Sequence, residues 1–195
     1  MLLVGPSRCG KDTMGEWLDR NSVLTYGGTT SKYLCPYVAA KQGLTPEEAY
    51  PIRHQHQKLW YDTGNELRER DPGCLLRASL ENGNLSAGVR DAVEITYACQ
   101  HRVVDHIVWI ERDVPRDPTL MFDLPFIQNA IRESRQDIEL HVLFNHTTEA
   151  EFLERVWRFA HRLHLLPSQT RPSFWNRLRS AARLLSLSAA PQTTP

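Results

Sequence analysis

Lysine is scarce in this chain. Only Lys11, Lys32, Lys41 and Lys58 occur among its 23 basic residues, and the rest are arginine. Arginine's planar fork suits bidentate contact with phosphate oxygens, so this basic complement fits anion handling better than diffuse attraction. Net charge is also absent: 23 acidic residues balance the 23 basic ones. No global field therefore draws in nucleic acid or a membrane surface, and neither is expected as a partner. The four cysteines, Cys9, Cys35, Cys74 and Cys99, stand far apart with no C-x-x-C pair. That spacing excludes a cysteine zinc site and a disulfide frame, and it reads as free thiols in a reducing compartment. The eight histidines show no ligand spacing beyond His54-x-His56, which falls on different faces of a helix. No metal site is expected from them. No apolar run approaches the ~20 residues that span a bilayer, and no leader precedes the first apolar segment, so a cytoplasmic location is expected. No internal repeat is present. The length of 195 residues suits one principal domain with a substantial core.

Against these absences stands one dense motif. Residues 5–13 read GPSRCGKDT, of the form G-x-x-x-x-G-K, after the apolar Leu2, Leu3 and Val4 and before a helical pattern carrying Met14, Trp17 and Leu18. Strand, glycine-bearing turn and helix are the context a phosphate-binding loop requires. Gly5 and Gly10 allow the backbone N–H groups to turn inward, the helix start adds its dipole, and Lys11 reaches the β- and γ-phosphates. The bland alternative is a glycine-punctuated turn with a chance lysine. The Ser or Thr that usually follows the lysine is replaced by Asp12, with Thr13 one place later. A carboxylate beside polyphosphate is repelled unless a cation intervenes, so Asp12 either helps hold Mg²⁺ or caps the helix it begins.

Along the chain, residues 12–21 read as the first helix and 23–26 as a short strand ended by Gly27 and Gly28. Residues 29–33 read as a hydroxyl-rich loop containing Ser31, and 37–42 as a helix stopped by Gly43. Thr45, Pro46 and Glu48 form a capping-box start. Residues 53–70 suggest one helical run whose packed face carries Ile52, His56, Leu59, Trp60, Thr63 and Leu67, leaving Arg53, Arg68 and Arg70 for other work. Residues 74–80 make another helix. Strands are expected at 85–89, 103–110 and 138–144, and a strongly amphipathic helix at 149–166. Strands alternate with helices, so the expected class is α/β, a parallel sheet with helices on both faces. Ligands in such folds bind beyond the carboxyl ends of the strands, where Gly5, Arg90, Arg112 and Asn145 all fall. The dispersed arginines suit transfer between two phosphorylated molecules, since both are anionic. Asp62, Asp71, Glu94 and Glu111 are their expected partners. Residues 167–195 carry four arginines and no acidic residue. Within them a basic amphipathic helix over 174–187 is suggested, read as an appendage or a membrane or partner contact.

GPSRCGKDT, the Gly-Thr-Thr-Ser stretch, WYDTGNELRERDP, GVRDAVEI, VDHIVWIERDVPRDPT and FNHTTEAEFLERV together resemble the bacteriophage deoxynucleoside monophosphate kinases. These belong to the P-loop nucleoside monophosphate kinase superfamily. The likeness covers about residues 1–165, giving a kinase-like domain over 1–166 and a basic tail over 167–195. It implies the three-layer P-loop kinase fold, and an enzyme converting ATP and a deoxynucleoside monophosphate to ADP and the diphosphate with Mg²⁺. By that resemblance Gly5, Ser7, Arg8, Cys9, Gly10, Lys11, Asp12 and Thr13 hold the ATP phosphates, and Asp12 serves magnesium. Arg90, with Arg68 as a second candidate, holds the substrate phosphate. Arg112 and Arg116 lie where such kinases close a lid, and Asn145 lies where a turn flanks adenine. Ser31 and Arg53 fall to the substrate side. Trp60 and Tyr61 either stack on the substrate base or pack as core aromatics. One departure stands out: the third strand runs Ala87-Gly88-Val89-Arg90, with the arginine kept and the family's strand-end carboxylate missing. Rival readings are a dephospho-coenzyme A kinase, an adenylate kinase, a polynucleotide kinase or an ATP-binding regulatory protein without catalysis. Oligomeric state is left open, with a homodimer among the options.

Overall fold

A computed structural model describes residues 1–115 and 118–166. Arg116 of the expected lid, the tail 167–195 and its helix 174–187 lie outside the described residues. Five strands form one all-parallel sheet: β1 (Leu2–Val4), β2 (Tyr26–Thr29), β3 (Leu85–Ala87), β4 (His106–Glu111) and β5 (Glu139–Phe144), in the order β2-β3-β1-β4-β5. Parallel neighbours need crossovers, and helices supply them. They are α1 (Lys11–Arg20), α2 (Thr30–Gln42), α3 (Pro46–Ala49), α4 (Gln57–Arg70), α5 (Cys74–Glu81), α6 (Ala92–Gln100), α7 (Leu124–Ser134) and α8 (Glu149–Arg162).

Side-chain alternation along the strands decides which helix packs where. Leu3, Val108 and Ile110 face Met14 and Leu18 of α1 and Phe152, Val156 and Phe159 of α8. Leu2, Val4, Ile107 and Trp109 face the opposite way, onto Ile95 and Ala98 of α6 and Ile127 of α7. The strands β1, β3 and β4 are thus buried between helices on both faces, and the α/β expectation holds. A third cluster, with Leu34, Val38, Ala49, Trp60 and Leu75, joins α2, α3, α4 and α5 into a helical cap.

Several local expectations change. β2 contains Gly27 and Gly28 instead of ending at them, because α5 comes too close for a side chain: a Cβ on Gly27 would sit 1.9 Å from the Ser79 carbonyl oxygen. Residues 29–33 are not a loop, since α2 begins at Thr30 and runs through Pro36. The buried Thr30 hydroxyl donates to the Gly88 carbonyl (2.8 Å), a tertiary tie that local propensity does not reveal. The run 53–70 breaks into a 3-10 turn at Arg53–Gln55 and then α4, with His56 exposed at the junction and off the packed face. The strand expected from residue 103 begins at His106. Helix α7 lies in a stretch to which no element was assigned. Its signal was present: Asp123 accepts from the Phe126 N–H (2.9 Å) as an N-cap, and Pro125 stands in the first turn. The capping box of Thr45 and Glu48 and the amphipathic helix α8 form as expected.

Candidate functional site

The loop after β1 is shaped by contacts that only glycine permits at two positions. Gly5 has φ +136°, and a Cβ there would lie 2.5 Å from the Ile110 carbonyl oxygen, so β1 ends hard against β4. Gly10 has φ +104°, and its Cβ would meet Asn145 Nδ2 at 2.6 Å and the Phe152 ring at 3.1 Å. Helix α1 follows directly, with no side chain capping its N-terminus. Its first N–H groups have no intrahelical acceptor and can serve an anion.

The neighbouring strand ends hold this loop from outside. Asn145, buried just beyond β5, donates from Nδ2 to the Cys9 carbonyl (2.8 Å), while its own N–H donates to the Glu111 carbonyl (2.7 Å). Arg112, just beyond β4, donates from Nη1 to the Arg8 carbonyl (3.0 Å). Asn145 and Arg112 are therefore brace residues for the loop backbone, a role that strand-end position alone did not specify.

Lys11 is buried, at 7% exposure, and its ammonium donates to the carbonyls of Gly5 (2.9 Å) and Pro6 (2.6 Å) and to Cys9 Sγ (3.5 Å). None of these partners is a carboxylate. Burial pulls its pKa below the ordinary lysine value, the Cys9 thiol opposes that shift, and the Arg90 charge adds to it. Cys9 is pushed up by burial, against the pull of Lys11 and Arg90. Arg90 therefore acts on the loop interior from the end of β3. Its carbonyl accepts from the Met121 N–H (2.9 Å), which ties in the loop after β4.

Arg68 pairs with one of its expected partners, Glu94, but is buried although it stands off the packed face that spacing suggested. It is buried, with Nη1 on Glu94 (3.3 Å) and Nη2 on Asn65 (2.7 Å), and Nε 3.9 Å from Asp91. Glu94 is the fully buried partner, and burial pushes its carboxyl up to about 7 against the pull of Arg68. Asp71 pairs with Arg77 as foreseen, whereas Asp62 pairs with Lys58 (2.6 Å) and Glu111 accepts from Trp109 Nε1.

Asp12 is exposed on the first turn of α1, and one of its oxygens accepts from the Tyr26 hydroxyl (2.8 Å). The Tyr26 ring lies against Gly15, where a Cβ would be 2.9 Å from it, and this close approach aims the hydroxyl at Asp12. Burial, then the Asp12 charge, pushes the Tyr26 pKa up, so the phenol stays a donor. Asp12 is not the N-cap; Gly10 is. An exposed carboxylate on the first helical turn suits a small, hard cation held mostly through water and phosphate oxygens. Tyr26 was not legible as a site residue, because its role depends on the β2–α1 approach.

On the helical-cap side, a cavity of about 210 Å³ lies between α4 and the loop after β4, lined by Gln57, Lys58, Tyr61, Pro118, Thr119 and Met121. Tyr61 faces it. Trp60 does not: it is buried in the cap core, edge-on to Tyr50 at 6.1 Å, and so takes the packing alternative. Arg53 lies over the Tyr50 ring (4.2 Å) and donates to the Tyr50 carbonyl (2.9 Å). Next to it, burial, then the Arg53 and Arg8 charges, lower the pKa of His54, so the 3-10 turn lies within electrostatic reach of the loop. The Ser31 hydroxyl shares a hydrogen bond with Thr29 (2.7 Å). The fold thus gathers residues 5–13, Arg90, Arg112 and Asn145 at one end of the sheet. No family model matches the chain, and no curated protein matches it. Among the described residues, no helix is long and apolar enough to cross a membrane.

Proposed function

We propose that this chain is a phosphotransferase moving the γ-phosphoryl group of ATP to a (deoxy)nucleoside monophosphate. The observation that carries the reading is Lys11: a buried ammonium inside a glycine-shaped loop, held by two carbonyls and a thiol. Burying an ammonium at a helix N-terminus among carbonyls and a thiol is costly, and a polyphosphate offsets that cost. A second anionic substrate explains why further arginines stand at the strand ends.

In the proposed reaction a phosphate oxygen of the acceptor attacks the γ-phosphorus in line. The bond from γ-phosphorus to the β–γ bridging oxygen breaks, giving ADP and a nucleoside diphosphate. The acceptor is already an oxyanion, so no strong general base is required, and positioning with charge stabilisation supplies the rate. The loop N–H groups and Lys11 hold the β- and γ-phosphates, and Arg90 draws the acceptor phosphate toward them. Arg112 and Asn145 keep the loop backbone in shape. Asp12 and Thr13 would hold Mg²⁺ beside the phosphates, where the ion neutralises charge on the transferring group.

The chain's missing strand-end carboxylate, at Ala87-Gly88, favours one rival: an ATP-binding regulatory protein without catalysis. An assay of ADP formation with ATP, Mg²⁺ and each nucleoside monophosphate separates the two. Acceptor-dependent ADP is expected, lost in both Lys11→Ala and Arg90→Ala while circular dichroism stays unchanged. Near-normal turnover in both variants, or ATP binding with no acceptor-dependent ADP, would sink the kinase reading.

A further inference from the structure

At the opposite end of the sheet, three ligand-type side chains converge on one face. His106 opens β4, and Glu139 opens β5 directly across from it. His141 lies two residues farther along β5, so the strand's period of two turns it to the same side as Glu139. His106 Nδ1 and His141 Nε2 are 3.3 Å apart, and Glu139 Oε2 is 3.4 Å from His141 Nε2 and 3.8 Å from His106 Nδ1. The three residues are 35 positions apart at most, and nothing in their sequence spacing marks them as a set.

From this geometry we propose that His106, Glu139 and His141 form a three-ligand site for a transition-metal dication of the zinc class. The distances carry the proposal. Ligands about 2.0–2.1 Å from a tetrahedral zinc ion must stand about 3.3–3.4 Å from one another, close to the edges of this triangle. A proton does the job less well. A single N–H can bridge one of the three contacts, whereas a cation at the centre satisfies all three lone pairs. Two imidazoles and a carboxylate are a donor set that zinc and its neighbours accept readily, with the fourth position left to solvent.

The surroundings agree. His141 stands edge-on to the Phe159 ring of α8 at 5.1 Å, which shields one side and fixes the imidazole plane. Burial lowers the His141 pKa, with the His106 charge acting in the same direction. Arg162 of α8 also acts on His141 and opposes a cation, while Glu139 offsets it. The site is roughly 16 Å from the carboxyl end of β4, the length of that six-residue strand. It is therefore separate from the phosphate loop and independent of the kinase reading. Bound there, the ion staples β5, an edge strand among the described residues, to its sheet neighbour β4.

Titrating the full chain with Co²⁺, then Zn²⁺, without nucleotide, tests this. The expected result is one saturable ion per chain with the intense visible bands of tetrahedral Co²⁺, displaced by Zn²⁺, and a rise in melting temperature. Glu139→Gln, an exposed change that leaves packing intact, should weaken binding more than ~10-fold, and His106→Gln/His141→Gln should remove the tetrahedral signal. A weak octahedral Co²⁺ spectrum, or unchanged binding in the variants, overturns the proposal.

Discussion

Gly10 and Asn145 are coupled through one hydrogen bond, and their double-mutant cycle has a predictable sign. An alanine at position 10 would keep a φ of +104°, which an L side chain rarely adopts, at about 1–2 kcal/mol. Its Cβ would sit 2.6 Å from Asn145 Nδ2, so the amide must leave the Cys9 carbonyl it binds at 2.8 Å. Losing that buried bond and orphaning the carbonyl costs about 1–3 kcal/mol more. Asn145→Ala alone incurs only the second cost, about 1–3 kcal/mol. In the double variant the bond can be lost only once, and the new Cβ keeps only the Phe152 ring, 3.1 Å away, as a close neighbour. The two effects should therefore fall short of additivity by about 1–3 kcal/mol. Urea unfolding of the four proteins, followed by tryptophan fluorescence, measures this directly if the m-values agree. Additivity within about 0.5 kcal/mol would refute the claim that Asn145 holds the loop through this bond.

Two further expectations rest on charged groups near the site. Glu94 is held up to about 7 by burial, against an ordinary value of 4.5, so in the intervening window the folded chain binds the extra proton. Its contribution to stability is full below about pH 4.5 and is lost as pH rises to about 7; Glu94→Gln should flatten that part of the stability profile, and matching slopes would contradict it. Tyr26→Phe removes the hydroxyl that orients Asp12. Stability should change by less than about 1 kcal/mol, and under the kinase reading the Mg²⁺ concentration for half-maximal turnover should rise while the rate at saturating Mg²⁺ holds. An unchanged Mg²⁺ requirement would separate Tyr26 from any metal role.

Much of the architecture was legible because it follows from local patterns. Alternating strand and helix signals imply a parallel sheet, and the capping box at Thr45 marks a helix start by residue type alone. Where long-range packing overrode local preference, the reading failed. α2 passes through Pro36, and its start at Thr30 is tied to Gly88, 58 residues away. Arg68 sits where helical spacing suggested an outward residue, because Glu94 on α6 draws its guanidinium inward.

By itself, the sequence determined the glycine-lysine motif of residues 5–13, the α/β class and the residues that close the strands, since each depends on neighbours in the chain. Only the tertiary structure decided how those residues act. It made Asn145 and Arg112 braces for the Cys9 and Arg8 carbonyls and aimed Tyr26 at Asp12. It also turned His106 and His141, which no spacing rule connects, into neighbours 3.3 Å apart. The physical reason is the same each time: strand register and helix packing set distances between side chains remote in the chain, and these chemical roles depend on those distances.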